Sequence, residues 1–216
     1  MAADEGPSGS GGQGQGRPGG PEGPAEPGGS GAARVGESAA ARLGLALLLA
    51  AAVTAVLVVA GRVHQPDYSA SLFGQSALGA LALKSWLTTV TLGLAGVQVL
   101  LALWLYRKLP LVPAPARWVA VAHRLTGIVL IGVTIPVAVH CLDAYGVQLS
   151  SPRLAVHSLA GCFLYGAFAA KVLLVHSRRL PRWALPVAGG TLVTAVVVLW
   201  YSAALWYFNG FRLPHW

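Results

Sequence analysis

Long apolar runs separated by short polar segments dominate this chain. A membrane helix needs about twenty residues to cross a hydrocarbon core about 30 Å thick, and five of the runs approach or exceed that length. They cover residues 43–60, 85–106, 118–140, 154–176 and 184–208. Prolines separate the second run from the third and the fourth from the fifth, as expected between helices. The pattern predicts an all-α integral membrane bundle of five transmembrane helices, which together form a domain over residues 42–216.

Two segments fall outside these five runs. Residues 1–41 consist mostly of Gly, Pro, Ser, Ala and Glu. Such a segment buries too little apolar surface to offset its conformational entropy, so it is predicted to be a disordered tail. The stretch Leu72–Leu83 is apolar but too short to span a membrane. It is either an interfacial segment or the beginning of the second helix, and the sequence leaves both interpretations open.

The composition agrees with a membrane protein and gives it an orientation. Hydrophobic residues make up 55% of the chain and charged residues only 10%, whereas soluble domains carry about 25% charged residues. The net charge of +8 does not indicate nucleic-acid binding, because the basic residues gather at the ends of the apolar runs. The connections after the second and fourth runs are the most basic. The positive-inside rule therefore predicts a cytoplasmic (cell) membrane protein with its N-terminus inside and its C-terminus outside.

Four histidines mark the ends of two consecutive spans. His123 and His140 bound the third span, and His157 and His176 bound the fourth. Because the connection between these spans is short, the helices should be antiparallel, with His140 level with His157 outside and His123 level with His176 inside. Ionisable residues in spans indicate function, and imidazole is a common axial ligand of haem iron. The pattern predicts two haem b groups, one near each surface, and a cytochrome or transmembrane oxidoreductase that transfers electrons between them.

A short glycine pattern accompanies two of these histidines. His123 and His157 each begin the pattern H-x3-G-x4-G, whose first glycines are Gly127 and Gly161. These glycines lie one turn deeper on the same helix face, where they would leave room for a flat macrocycle. The alternative is that they only allow helices to pack closely.

Charged residues near the span ends have two interpretations each. Arg124 on the inner side and Arg153 on the outer side are candidate partners for haem propionates. The alternative role of these arginines is to fix topology and bind lipid headgroups. Lys84 and Lys171 are expected to extend their ammonium groups to the membrane interface.

The sequence also resembles known membrane proteins. The stretches LKSW, LWLYRKLP, HRLTG, PVAVHCL, VHSLAGCFLYGAFAAK and LPRWALPVAGG, within residues 64–208, resemble an uncharacterised family of bacterial multi-pass membrane proteins. The paired histidines are more distantly similar to the transmembrane b-type cytochromes of the cytochrome b-561 and ferric-reductase kind. That resemblance implies bis-histidine haems held by His123, His140, His157 and His176.

Two other functions stay open at this point. The protein is alternatively a non-redox scaffold or accessory subunit in which the histidines are structural and interfacial. It is alternatively a metal-ion site or permease that uses His140 and His157, together with Cys141. Few polar residues lie near the bilayer centre, which disfavours transport. The predicted partners are the lipid bilayer and a quinone or redox protein, and the sequence does not identify an oligomeric state.

Overall fold

The computed structural model describes residues 30–177 and 180–213, with side chains from residue 39 onward. In this part, the helices are α1 (Ser30–Val63), α2 (Ala77–Leu105), α3 (Arg117–Tyr145), α4 (Pro152–His176), α5 (Ala184–Leu199), a π-helical segment (Trp200–Leu205) and α6 (Trp206–Phe208). The last three form one continuous span, Ala184–Phe208. The described residues therefore contain five helical spans that are long and apolar enough to cross a membrane, which confirms the predicted fold class.

The boundaries of the first two helices differ from those predicted. Residues 1–29 of the predicted tail lie outside the described residues, but α1 already begins at Ser30. The alanine-rich stretch before the apolar run has high helix propensity, which favours this early start. The second helix begins at Ala77, where the Ser76 hydroxyl accepts a hydrogen bond from the amide of Gly79 at 3.3 Å. The latter part of Leu72–Leu83 thus belongs to α2.

The connection between α3 and α4 is anchored to the end of α1. Gly146 ends α3 with a φ of 65°, a conformation that glycine adopts without strain. A Cβ added there would lie 2.6 Å from the carbonyl oxygen of Gly61. The next amide, that of Val147, donates a hydrogen bond to this same oxygen at 2.8 Å. Ser151 then caps α4, whose first residue is Pro152, as is typical of a helix start.

The helices do not pack in chain order. The helix α1 packs against α4, α4 against α5, α5 and the π-helical segment against α2, and α2 against α3. The consecutive helices α3 and α4 are not among the closely packed pairs. Both still contribute to one apolar core cluster, through Leu130 and Leu164, together with Ala95 of α2 and Ala195 of α5. The arrangement leaves space between α3 and α4 beside that cluster.

Large apolar side chains cover the outside of the bundle. Leu47 on α1, Ile128 on α3 and Val175 on α4 are all exposed. Extended apolar exposure of this kind is unfavourable in water but suits contact with lipid tails. The exposed apolar surface and the five spans together indicate a multi-pass membrane protein.

Candidate cofactor site

The central cavity, as we call the space between α3 and α4, has a volume of about 120 Å³. Residues from all five spans line it, from Leu57 on α1 to Val196 on α5. A hydrogen bond crosses the space between the two helices, because the Tyr165 hydroxyl donates to Thr134 Oγ1 at 3.0 Å. The volume is smaller than the roughly 300–1,000 Å³ of pockets for drug-sized ligands. A macrocycle would therefore fit only if α3 and α4 moved further apart.

His157 lines the central cavity from α4, and a hydrogen bond holds one of its ring nitrogens. Its Nδ1 lies 2.9 Å from Ser202 Oγ, in the π-helical segment. The Ser202 hydroxyl donates to the carbonyl oxygen of Val198 at 2.7 Å. Among the described residues, none forms a hydrogen bond with His157 Nε2. Within the described part of the chain, His157 is the one predicted ligand that has both a cavity beside it and a side chain, that of Ser202, that positions its ring.

His140 lies in a different cavity from His157. It is only 6% exposed, and neither Nδ1 nor Nε2 forms a hydrogen bond of ordinary geometry with the described residues, although the ring lies close to the Ala70 backbone. The loop cavity, as we call the space that His140 lines, lies between residues 70–73 and the outer half of α3 and has a volume of about 350 Å³. Asp143 also lines it. The structure therefore does not bring His140 and His157 into one cavity.

The two histidines at the opposite end of the helices, His123 and His176, also differ from each other. His123 is partly buried, and its Nδ1 has no partner among the described residues. His176 is exposed, and its Nδ1 lies 2.8 Å from the carbonyl oxygen of Val172 in its own helix. The bond to its own helix explains why His176 does not turn toward α3. The predicted inner pair thus consists of one inward and one outward ring.

The glycines of the H-x3-G-x4-G pattern have separate surroundings. Gly161 lines the central cavity one turn from His157, and a Cβ there would lie 3.8 Å from Leu199 Cδ2. Gly127 lies beside the Gln98 side chain of α2, at 3.6 Å from an added Cβ. Gly161 therefore keeps its predicted place beside a histidine, whereas Gly127 serves the contact between α2 and α3.

Two cations at the outer end have partners that the sequence did not indicate. Arg153 donates to the carbonyl oxygen of Ser202 at 2.9 Å and lies 3.9 Å from the centre of the Trp206 ring. Lys84 was expected at the interface, but it is only 8% exposed, with Nζ 4.5 Å from the centre of the Tyr145 ring. The aromatic ring covers the ammonium group, which explains its burial. Arg124, by contrast, is exposed on the inner half of α3.

Two further groups bear on metal binding. Cys141, rather than His140, shares the central cavity with His157, and Cys162 also lines it. In the described ranges there is no cluster of three or more His, Cys, Asp or Glu side chains that could hold a metal ion. Ser202 was not predicted from the sequence, because it is one of several hydroxyl residues in an apolar span and has no distinguishing pattern around it.

Comparisons with known proteins place the chain in a family without indicating an activity. Neither the curated proteins nor the solved structures include a match. A family model described as a family of unknown function, DUF6529, matches residues 43–215, which include all five apolar runs. The match fits the resemblance to an uncharacterised membrane protein family and adds nothing to the resemblance to b-type cytochromes. The chain therefore belongs to the family of unknown function DUF6529.

Proposed function

We propose that this protein binds haem b through histidines of α3 and α4 and carries electrons across the membrane. The observation that carries the proposal is the state of the buried imidazoles. Both ring nitrogens of His140 and the Nδ1 of His123 are buried without a well-formed hydrogen bond to the described residues, although the His140 ring lies close to the Ala70 backbone. An unpartnered buried polar group costs about 1–3 kcal/mol, so such groups are retained where a ligand satisfies them.

The surroundings of His157 support the same proposal. A histidine that ligates a metal usually bonds a protein group through its other ring nitrogen, which fixes the ring orientation. The contact of His157 Nδ1 with Ser202 Oγ provides that second interaction. Gly161, one turn deeper, leaves this side of α4 free of a side chain. Bound haem would supply an iron that accepts and releases one electron.

The space between α3 and α4 sets the conditions for this binding. These helices are not closely packed, so their separation would break the Tyr165–Thr134 hydrogen bond and contacts in the shared apolar cluster but no extensive helix interface. His140 would have to turn from the loop cavity toward His157 to share one group with it. The contacts of His176 do not favour it as a ligand, because its ring is bonded to its own helix. The second site therefore depends on His123.

We further propose an orientation and partners for this cytochrome. Exposed basic residues cluster in the connection between α2 and α3, namely Arg107, Lys108 and Arg117. This side faces the cytoplasm under the positive-inside rule, which places the N-terminus inside the cell membrane. Electrons would then pass between a quinone or reductant on one side and a redox protein on the other.

A non-redox scaffold is the second candidate. The separation of His140 from His157 and the outward ring of His176 favour it. In a scaffold, the Arg153 and His157 contacts to Ser202 would serve only to hold α4 against the fifth span.

An absorption spectrum of the purified full-length protein separates the two candidates. The protein would be produced with ample haem and measured oxidised and then reduced with dithionite. We expect a sharp reduced α-band typical of haem b. The variants His140→Ala, His157→Ala and His123→Ala should each lose haem. His64→Gln is the matched control, because His64 is an exposed loop histidine and a glutamine amide keeps a donor for its hydrogen bond to the Asp143 carbonyl oxygen; this variant should retain the full haem content.

Two results would contradict the proposal. One is a colourless wild-type protein that elutes as a single species in size-exclusion chromatography. The other is a haem content unaffected by all three substitutions. Variants that elute as aggregates would be replaced by His→Gln substitutions, which keep a polar side chain of similar size. His176→Ala should retain haem if its ring stays against Val172, as its contact indicates.

A further inference from the structure

We infer that Ser202 is a positioning residue that fixes His157 in the tautomer with the proton on Nδ1, so that Nε2 presents its lone pair to the central cavity. The tautomer follows from the number of protons that the two side chains share. A serine hydroxyl carries one proton. Ser202 Oγ lies 2.7 Å from the carbonyl oxygen of Val198 and 2.9 Å from His157 Nδ1. A carbonyl oxygen only accepts, so the hydroxyl proton goes to Val198 and His157 Nδ1 must donate.

The π-helical segment places the Ser202 hydroxyl where His157 needs it. A π-helix widens the backbone and is often found at functional sites. At its start, Trp200 donates from Nε1 to Thr89 Oγ1 on α2 at 3.1 Å. Arg153, one turn before His157 on α4, donates to the Ser202 carbonyl oxygen at 2.9 Å. The segment is therefore tied to α2 and to α4, which limits the positions open to Ser202.

The consequence concerns what His157 is able to bind. With its proton on Nδ1, a neutral imidazole offers Nε2 only as an electron-pair donor. The ring lines the central cavity, and its Nε2 has no hydrogen bond to the described residues. The cavity is therefore suited to a Lewis acid or a hydrogen-bond donor at this position. That this Lewis acid is a haem iron rests on the proposed function, whereas the tautomer does not.

The tautomer is measurable directly. Full-length protein carrying ¹⁵N-labelled histidine would be placed in lipid bilayers without added haem, and its nitrogen chemical shifts measured by solid-state NMR at neutral pH. His157→Gln identifies the His157 signals by their loss. We expect a protonated Nδ1 and an unprotonated Nε2. Ser202→Ala should shift the signals toward the other tautomer, whereas Ser202→Thr, which keeps the hydroxyl, should restore the wild-type pattern.

Thr191→Ala is the matched control for the loss of a hydroxyl in the same span. Thr191 is partly exposed, and among the described residues its hydroxyl bonds only the Val187 carbonyl of its own helix, at 3.0 Å. Its removal should leave the His157 signals unchanged. Protonation of Nε2 in the wild type, or unchanged signals in Ser202→Ala, would overturn the inference.

Haem binding by the same variants separates this inference from the proposed function. If the protein binds haem, Ser202→Ala should weaken its affinity by about 10- to 100-fold, because the other nitrogen of the ligand loses its partner. It should also raise the midpoint potential, since the ligand becomes a weaker donor. A protein that binds no haem but shows the expected tautomer would contradict the proposed function and leave the inference standing. If the protein binds haem but Ser202→Ala changes neither the His157 tautomer nor the haem affinity, only the inference would be overturned.

Discussion

At the scale of single residues, Gly166 and Gly132 are the second glycines of the two H-x3-G-x4-G patterns, yet only one of them is needed for packing. A Cβ on Gly166 would collide with Thr54 Oγ1 and with the backbone carbonyl oxygen of Ala50, both on α1. A Cβ on Gly132 would meet nothing within 4 Å. Gly166 is thus a contact glycine of the α1–α4 interface, as the packing interpretation of the pattern holds.

We expect Gly166→Ala to lower the free energy of unfolding by about 1–3 kcal/mol, because backbone at the contact cannot move aside cheaply. Gly132→Ala is the control and should be neutral or should stabilise by up to about 1 kcal/mol, since alanine favours helix. Unfolding by dodecyl sulfate in mixed micelles measures both variants. Equal losses of stability in the two variants would show that α1 does not dock on α4 as described.

A second prediction at this scale concerns Asp67, in the loop between α1 and α2. Its carboxylate accepts hydrogen bonds from the hydroxyl and, at 2.9 Å, from the amide of Ser69. These bonds lower the pKa of Asp67 below its ordinary value of about 3.9. Because the folded pKa is depressed, their contribution is present above the ordinary value and is lost as the pH falls through the folded pKa.

Hydrogen exchange of the Ser69 amide tests this dependence. Its protection factor should be constant around neutral pH and should fall only once the pH drops below the ordinary aspartate pKa of about 3.9 and through the lower pKa of folded Asp67. In Asp67→Ala, protection should be low at every pH. If the protection factor of the Ser69 amide in the wild type does not change on acidification, the assigned role of Asp67 is contradicted.

At the scale of helices, one glutamine joins α2 to α3 inside the bundle. Gln98 donates from Nε2 to the carbonyl oxygen of His123 at 2.7 Å and also to Thr126 Oγ1. Hydrogen bonds between membrane helices contribute about 0.6 kcal/mol on average and at most about 1.7 kcal/mol. Gln98→Leu should therefore lower the free energy of unfolding by about that range, measured by the same micelle titration.

The matched control for Gln98 is a polar residue that bonds only its own helix. Thr194 is exposed on α5, and its hydroxyl donates to the Gly190 carbonyl at 3.0 Å. Thr194→Val should change stability little. If both substitutions have the same small effect, Gln98 does not join the two helices.

The helices themselves were largely predictable, because each depends on a local feature. The length of each apolar run predicted the five spans. The short connection of residues 146–151 predicted that α3 and α4 are antiparallel. The direction of each histidine ring was not predictable, since it depends on which helix occupies each flank. Contacts far apart in the chain decide this, such as that between His157 and Ser202. The contact of Lys84 with the Tyr145 ring also joins residues far apart in the chain. The sequence therefore predicted Lys84 at the interface and did not predict that the ring covers it.

At the scale of the whole molecule, an odd number of spans puts the two termini on opposite sides of the membrane. The loops alternate accordingly, so the connections after α1 and α3 share one side, and those after α2 and α4 share the other. The latter two carry most of the basic residues of the loops. The positive-inside rule predicts that they lie in the cytoplasm, and this prediction would also set the side of every other loop.

Two exposed loop residues allow this orientation to be measured. Leu111, between α2 and α3, is 96% exposed, and Phe73, between α1 and α2, is 68% exposed. Each would be changed to cysteine in a chain in which Cys141 and Cys162 are alanine, so that a single thiol is present. In intact cells, a membrane-impermeant maleimide should label Phe73→Cys at once. It should label Leu111→Cys only after permeabilisation, because the basic loop stays inside. The reverse pattern would invert the protein and place His123 rather than His140 near the outer surface, which would reverse the sides proposed for the electron donor and acceptor.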